Sequence, residues 1–178
     1  KIVANSLDEA LERGADLIVE CASQEAVIDY SQKVLKRFDF LILSVGALAY
    51  KECEDAIRDV CRKSGKRLFV PSGAIIGIDG IRAVRHLLEK VKLTTRKPPR
   101  SLGRNDTAET VLFKGTAREA CKLYPKNVNI SATLSLNGIG FDRTEVMVVV
   151  DPKLSANVHI VEAEGSFGRF ITRVEAKP

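Results

Sequence analysis

Three short apolar runs fix most of what the first half of this chain can fold into. They read DLIVECA (16–22), FLILSVGA (40–47) and RLFVPSGA (67–74). Each has the length of a buried strand and each hands over to a segment of helical pattern. SQEAVIDYSQKVLKRF (23–38) opens on a serine cap and sets Ala26, Val27, Tyr30, Val34 and Leu35 on one stripe. YKECEDAIRDVCRKSGK (50–66) runs to Gly65 as its stop signal, and DGIRAVRHLLEKV (79–91) reads as the helix after the third strand. Ahead of them, SLDEALERG (6–14) has the Ser-x-x-Glu spacing of a capping box and stops at Gly14. Strands without alternation, separated by helices, specify a parallel α/β sheet buried on both faces.

After about residue 92 the period changes. VKLTTRK, TVLFKG, NVNISATLSL, TEVMVVVD, NVHIVEAEG and RFITRVEA mostly alternate apolar and polar residues, the pattern of an antiparallel sheet with one covered face. Only TAREACKLYPK (116–126) reads as a helix among them. Two domains are therefore expected, 1–92 and an α+β domain over 93–178. One small helix leaves part of the second sheet uncovered, and such a face is usually closed by a second copy, so a homodimer is expected.

In 178 residues, 45% are hydrophobic and 29% charged, an ordinary balance for a soluble domain pair. No apolar run nears the roughly 20 residues of a membrane span and no signal peptide is visible, so no membrane partner and a cytoplasmic location are expected. The chain opens at Lys1 without a Met and ends just after a strand-like run, as a piece of a longer protein would. Its four cysteines, Cys21, Cys53, Cys61 and Cys121, lack the close pairs of a zinc or redox site and read as structural thiols. The net charge of +5 is densest in KVKLTTRKPPRSLGR (90–104). That stretch has no aromatic residue for base stacking, which argues against nucleic acid; it reads as a solvated loop, or as an attractor of an anionic ligand.

Ligands of parallel α/β sheets bind outside the carboxyl ends of the strands. Here three strand ends carry small or polar residues: ECAS (20–23), SVGALA (44–49) and PSGAIIG (71–77). Three in succession suit close backbone approach to a flat, nucleotide-type ligand, although no GxGxxG loop is present. No metal-ligand cluster and no Ser/His/Asp or Cys/His set can be assembled from spacing. Of the two histidines, His86 reads as a surface or packing residue. His159 is the one candidate general base near neutral pH, and on position alone a packing role stays open.

These motifs come in the order seen in a known family. LIVECAS, SVGALA, PSGAIIGID, TTRKPP, FKGTAREACKLYPKNVN and NVH followed by GSFG make the chain resemble the archaeal and bacterial L-aspartate dehydrogenases over nearly its whole length. The resemblance implies a Rossmann domain for NAD or NADP, then an α+β domain with substrate residues and a dimer interface. It implies oxidation of L-aspartate to iminosuccinate, which hydrolyses to oxaloacetate and ammonia or feeds NAD biosynthesis. By motif, Ala74 of the SGA turn and Asn129 of KNVN correspond to cofactor contacts, and His159 of NVH to the active-site residue. Lys126 and residues of the TTRK strand are candidate carboxylate partners. The sequence departs from the family in lacking the opening strand with its GxGxxG loop and a closing segment, and in a short stretch between TTRKPP and FKG. Other readings are a homoserine-dehydrogenase-like or dihydrodipicolinate-reductase-like oxidoreductase, or a non-catalytic dinucleotide-binding protein.

Overall fold

The computed structural model describes residues 3–124 and 129–176. The chain forms two compact units, Lys1–Pro71 and Ser72–Pro178, so the division falls at the end of the third strand, ahead of the change of rhythm near 92.

In the first unit, strands β1 (Leu17–Glu20), β2 (Asp39–Ile42) and β3 (Leu68–Phe69) form a parallel sheet in that order. Helices α1 (Leu7–Glu12), α2 (Gln24–Leu35) and α3 (Lys51–Ser64) connect and cover it. The expected caps are present: the Ser6 and Ser23 side chains accept the Glu9 and Ala26 amides at 3.2 Å, and Gly65 closes α3 at φ 70°. Val27, Val34 and Leu35 of α2 and Phe40 and Ile42 of β2 are almost fully buried. Each such apolar side chain contributes about 1.5–3 kcal/mol. The register sets Ile18 and Glu20 beside Phe40 and Ile42 on this covered face. Contrary to the pattern of the apolar runs, the other face is open within this unit: Val19 is 51%, Leu43 44% and Phe69 38% exposed. The cause is that α2 and α3 pack on each other and lie on one side.

The second unit is a five-stranded mixed sheet of order β5-β6-β4-β7-β8. Its strands are β4 (Leu88–Lys97), β5 (Thr110–Thr116), β6 (Thr144–Val150), β7 (Asn157–Gly165) and β8 (Gly168–Ala176). β4 at the centre runs parallel to β6 and antiparallel to β7, while β5 and β8 close the edges antiparallel to their neighbours. Helices α4 (Ile78–Ala83), α5 (Ala117–Leu123) and α6 (Asn129–Asn137) accompany it, and α5 and α6 lie against β6. The core takes Val91 and Leu93 of β4, Val146 and Val148 of β6, Val161 and Ala163 of β7 and Leu134 of α6. Thr116 and Glu119 make a reciprocal capping box at the start of α5.

Two elements differ from their sequence patterns. The helical spacing of Val84, Leu87, Leu88 and Val91 gives a helix only to Ala83; a short 3-10 turn over Arg85–Leu87 follows, and Leu88 already begins β4. Pairing on both sides with β6 and β7 outweighs a local period of one turn. Conversely, the NISATLSL stretch is helix α6 from Asn129 onward, not a strand. Ser131, Ala132, Thr133, Leu134 and Ser135 are all buried, so no single face shows in the pattern. The hydroxyl of Ser135 donates to the Ser131 carbonyl at 2.8 Å, which lets a polar side chain sit inside a buried helix. The PSGAIIGID segment owes one glycine to packing: a Cβ on Gly77 would stand 2.6 Å from the Phe170 ring of β8, and Gly77 also has φ +83°.

Candidate active site

The polar residues of the second unit gather where β4 ends and β7 begins. Thr95 of β4 pairs with His159 of β7 in the ladder, and Val91, Leu93, Thr95 and Lys97 share the sheet face that α4 and α6 cover. His159 and Asn157 point to that same face from β7. His159 is 8% exposed, and its Nδ1 lies 3.1 Å from the Thr95 hydroxyl, which fixes the ring and leaves Nε2 as its other nitrogen. Burial, and secondly the charge of Lys97, push the His159 pKa down to about 4. Lys97 is itself 8% exposed, and burial pushes its pKa down. The site therefore holds a neutral imidazole next to a buried amine.

The strand end that carries Lys97 is pinned from two directions. The Asp151 amide donates to the Lys97 carbonyl at 2.9 Å, tying β4 to the end of β6. The Asp151 carboxylate accepts from Arg96 at 2.7 Å and from the Lys153 amide at 2.9 Å, and the Arg96 guanidinium holds that carboxyl below its ordinary range. Arg96 also pairs with Glu109. The basic stretch 90–104 is thus not a solvated loop: most of it is the central strand, and Arg100 and Arg104 bind the Ser155 carbonyl and Asp106.

At the carboxyl edge of the parallel sheet in the first unit, one residue organises two turns. The Glu20 carboxylate, 7% exposed, accepts the amides of Ala22 (2.6 Å), Leu43 (3.2 Å) and Ser44 (2.9 Å) and the Ser44 hydroxyl (2.9 Å). It locks the ECAS turn to the SVGA turn, the small-residue edge where such sheets take nucleotides. Reading ECAS for its small residues passes over this role; a carboxylate ending an otherwise apolar strand is the signal. In the second unit, the SGA turn presents Gly73 at φ +61° with open space where a side chain would stand, and Ala74 is exposed. The small residues of the ECAS and SVGA turns at the edge of the first unit's sheet suit close backbone approach by the flat rings of a nicotinamide dinucleotide.

A family profile described as "Aspartate dehydrogenase, C-terminal" matches residues 79–178, and one described as "Homoserine dehydrogenase, NAD binding domain" matches residues 2–71. The L-aspartate dehydrogenase of Methanosarcina mazei is 45% identical over 96% of this chain and 68% of its own length. The L-aspartate dehydrogenase of Archaeoglobus fulgidus is 42% identical over 99% of this chain and 72% of its own. The chain belongs to the aspartate dehydrogenase family. The crystal structure of aspartate dehydrogenase from Thermotoga maritima superposes with a TM-score of 0.84 at 36% identity, over 90% of this chain and 68% of that one. The fold described above, a Rossmann-type parallel sheet followed by a mostly antiparallel one, is the fold of this family.

Of the residues singled out by family motif, His159 stands at the polar cluster, Asn129 is the first residue of α6 and Ala74 lies in the turn before α4. Helices α4 and α6 pack together, which brings the two segments to one side of the sheet. Lys126 lies outside the described residues. His86 is exposed in the 3-10 turn. Among the described residues the cysteines form no disulfide, and burial raises Cys53 to about 11 and pushes Cys61 and Cys121 upward, so these three are poor nucleophiles.

Proposed function

We propose that the protein is an NAD(P)-dependent L-aspartate dehydrogenase that oxidises the substrate to iminosuccinate. The observation that supports this most is the neutral, buried imidazole of His159, held by Thr95 next to Lys97, in a chain of this family. Oxidation at Cα needs an unprotonated amine, because only a nitrogen lone pair can push the hydride out. A neutral histidine takes that proton, and the Thr95 hydroxyl at Nδ1 orients the ring for it. Bound NAD or NADP supplies the hydride acceptor. Glu20 would preform the two turns at the edge that receives it, and Ala74 and Asn129 would contact it. The iminosuccinate formed then adds water and releases ammonia, or leaves intact.

A homodimer assembled through the second unit and a cytoplasmic location complete the reading; among the described residues no helix is long and apolar enough to cross a membrane. The test is reduction of NAD+ and NADP+ by the full-length protein over a panel of amino acids including L-aspartate, L-homoserine and L-alanine. Reduced cofactor should form with L-aspartate far faster than with the others. Turnover of L-homoserine alone, or cofactor binding with no turnover at all, would overturn the reading.

A further inference from the structure

Helix α4 has only six residues, and its N-cap is Gly77, which offers no side chain to cap it. A helix this short does not hold itself in water, so its position comes from what packs on it. Ile78 and Ile81 are buried, and α6 lies against it. A further support is the Phe170 ring of β8. The tip of that ring stands 2.6 Å from where a Cβ on Gly77 would be, and its edge 3.7 Å from where one on Gly80 would be. The ring is thus seated in the space that two glycines, three residues apart, leave open. The Cβ position of Gly77 also lies 3.4 Å from Thr172 Cγ2, whereas at Gly80 Phe170 is the one β8 neighbour within 4 Å among the described residues. In the β7–β8 ladder Phe170 pairs with Ala163, Thr172 with Val161 and Val174 with His159. Passing from Gly80 back to Gly77 therefore leads toward the level of His159. The N-terminal end of α4, with the SGA turn directly ahead of it, is the end nearer the histidine.

We infer that Phe170 is a positioning residue for hydride transfer: its ring sets the PSGAIIG turn against which the nicotinamide is held. This rests on the aspartate dehydrogenase reading, in which Ala74 contacts the cofactor. Hydride leaves the carbon whose amine His159 deprotonates, so the ring that accepts it must reach the unit that holds His159. Ala74 is an exposed residue of that unit, three residues ahead of Gly77, and therefore meets the nicotinamide half of the cofactor rather than the adenosine half. With the wedge in place the turn is preformed. Without it the cofactor itself has to order the turn, and nicotinamide C4 loses its fixed distance to the substrate. The shape of the wedge matters more than its hydrophobicity, because the para carbon of Phe170 is the atom nearest the Gly77 position. A hydroxyl added there has no room, whereas a shorter apolar side chain leaves only a gap.

The test compares the full-length parent with Phe170→Ala, Phe170→Leu, Phe170→Tyr, Gly77→Ala and the double variant Gly77→Ala with Phe170→Leu, with melting curves to confirm folding. Calorimetric titration measures the affinity of each for NADH and for ADP-ribose, which lacks the nicotinamide. Phe170→Ala should weaken NADH about 3- to 10-fold, the cost of a turn that the ligand has to order, and leave ADP-ribose within about twofold. Its kcat should fall about 10- to 100-fold with the KM for L-aspartate within about threefold of the parent. Phe170→Leu should recover part of the NADH affinity, whereas Phe170→Tyr should do worse than Phe170→Leu. A phenylalanine that merely fills apolar surface would show the reverse order, since tyrosine keeps the ring. Gly77→Ala should lose NADH affinity as well, and adding Phe170→Leu should restore part of it by making room for the new methyl. NADH affinity within about twofold of the parent in folded Phe170→Ala and Gly77→Ala, or an equal loss for NADH and ADP-ribose, would overturn the assignment. Should Phe170→Ala fail to fold, the order of the leucine and tyrosine variants decides. Should the parent bind NADH yet oxidise no aspartate, the functional reading fails by itself, and the comparison of NADH with ADP-ribose still decides whether Phe170 sets the turn.

Discussion

The acid limb of the pH profile is the most direct probe of His159. An ordinary histidine titrates near 6.5, whereas burial and, secondarily, the Lys97 charge bring this one to about 4. At about 1.36 kcal/mol per pH unit that gap is worth about 3 kcal/mol, and at 8% exposure little of it is screened by water. The free enzyme therefore carries a neutral imidazole throughout the neutral range. Its kcat/KM should stay flat as pH falls through 6.5 and turn down only toward about 4, as far as the protein stays folded. In Lys97→Met the kcat/KM limb should move up by less than half of the gap, since burial is the larger cause and persists.

The same shift has a stability consequence with a fixed sign. Between about 4 and 6.5 the unfolded chain binds a proton at this site and the native state refuses it. The stability involved is fully present above pH 6.5 and is lost as pH falls through about 4, roughly 3 kcal/mol in all. Urea unfolding at pH 7 and pH 5 should show the parent losing more than His159→Gln does. Turnover of His159→Ala or His159→Asn should fall by about 10²–10⁴-fold with cofactor affinity little changed, while His86→Ala is nearly silent. A parental kcat/KM limb at about 6.5, or more than about a tenth of turnover in His159→Ala, would refute the reasoning.

Glu20 should matter to the first unit and to cofactor affinity together: Glu20→Ala strips four donors of one buried acceptor and should cost about 2–4 kcal/mol of stability and raise the KM for NAD+, with the KM for aspartate little changed. An unchanged melting curve and KM would show that the two turns hold without it. Sedimentation of the full-length protein at micromolar concentration should give a dimer, its contact on the sheet face away from the helices, where Ile171 is 52% and Val111 55% exposed beside the Lys92–Glu162–Arg169 ion pairs. A monomer at that concentration would end the proposal.

The parts of the fold legible in the sequence are those where local period and tertiary pairing agree. β1, β2, α2 and α3 carry their own caps, stripes and stops, and each forms where its pattern says. Legibility fails where one segment satisfies two periods. Val84, Leu87, Leu88 and Val91 fit a helix, yet the ten residues from Leu88 sit between two partner strands that no local pattern reveals. The NISATLSL helix is buried all round, so neither a stripe nor an alternation marks it. The site shows the same split. His159 is visible because histidine is rare here and chemically apt, and the family motif names it. Lys97 is hidden by its neighbours: in KVKLTTRKPPRSLGR it looks like one more surface cation, and only the register shows it pointing to the covered face beside the imidazole.

That register depends on a feature remote from the chemistry. In the β4–β7 ladder, Leu88 pairs with Gly165, but Lys90 pairs with Glu164, so Glu89 is an extra residue. From Lys90 onward every pair is displaced by one relative to the pairing at Leu88. Without the bulge, continuation of the Leu88–Gly165 pairing would set Thr95 opposite Val158 and would point His159 and Thr95 to opposite faces. The hairpin between β7 and β8 cannot correct this, since it fixes β7 only against β8. The bulge is itself anchored: the Ser166 amide donates to the Leu87 carbonyl at 3.2 Å, and a Cβ on Gly165 would collide with that same carbonyl at 1.9 Å. Gly165 thus admits the Leu87 carbonyl, the carbonyl holds the start of β4, the bulge sets the count, and the count places a threonine against Nδ1 of the histidine. The geometry of the proton-handling group is a property of the backbone ladder, which is why no spacing within the NVH or TTRK motifs alone reveals it.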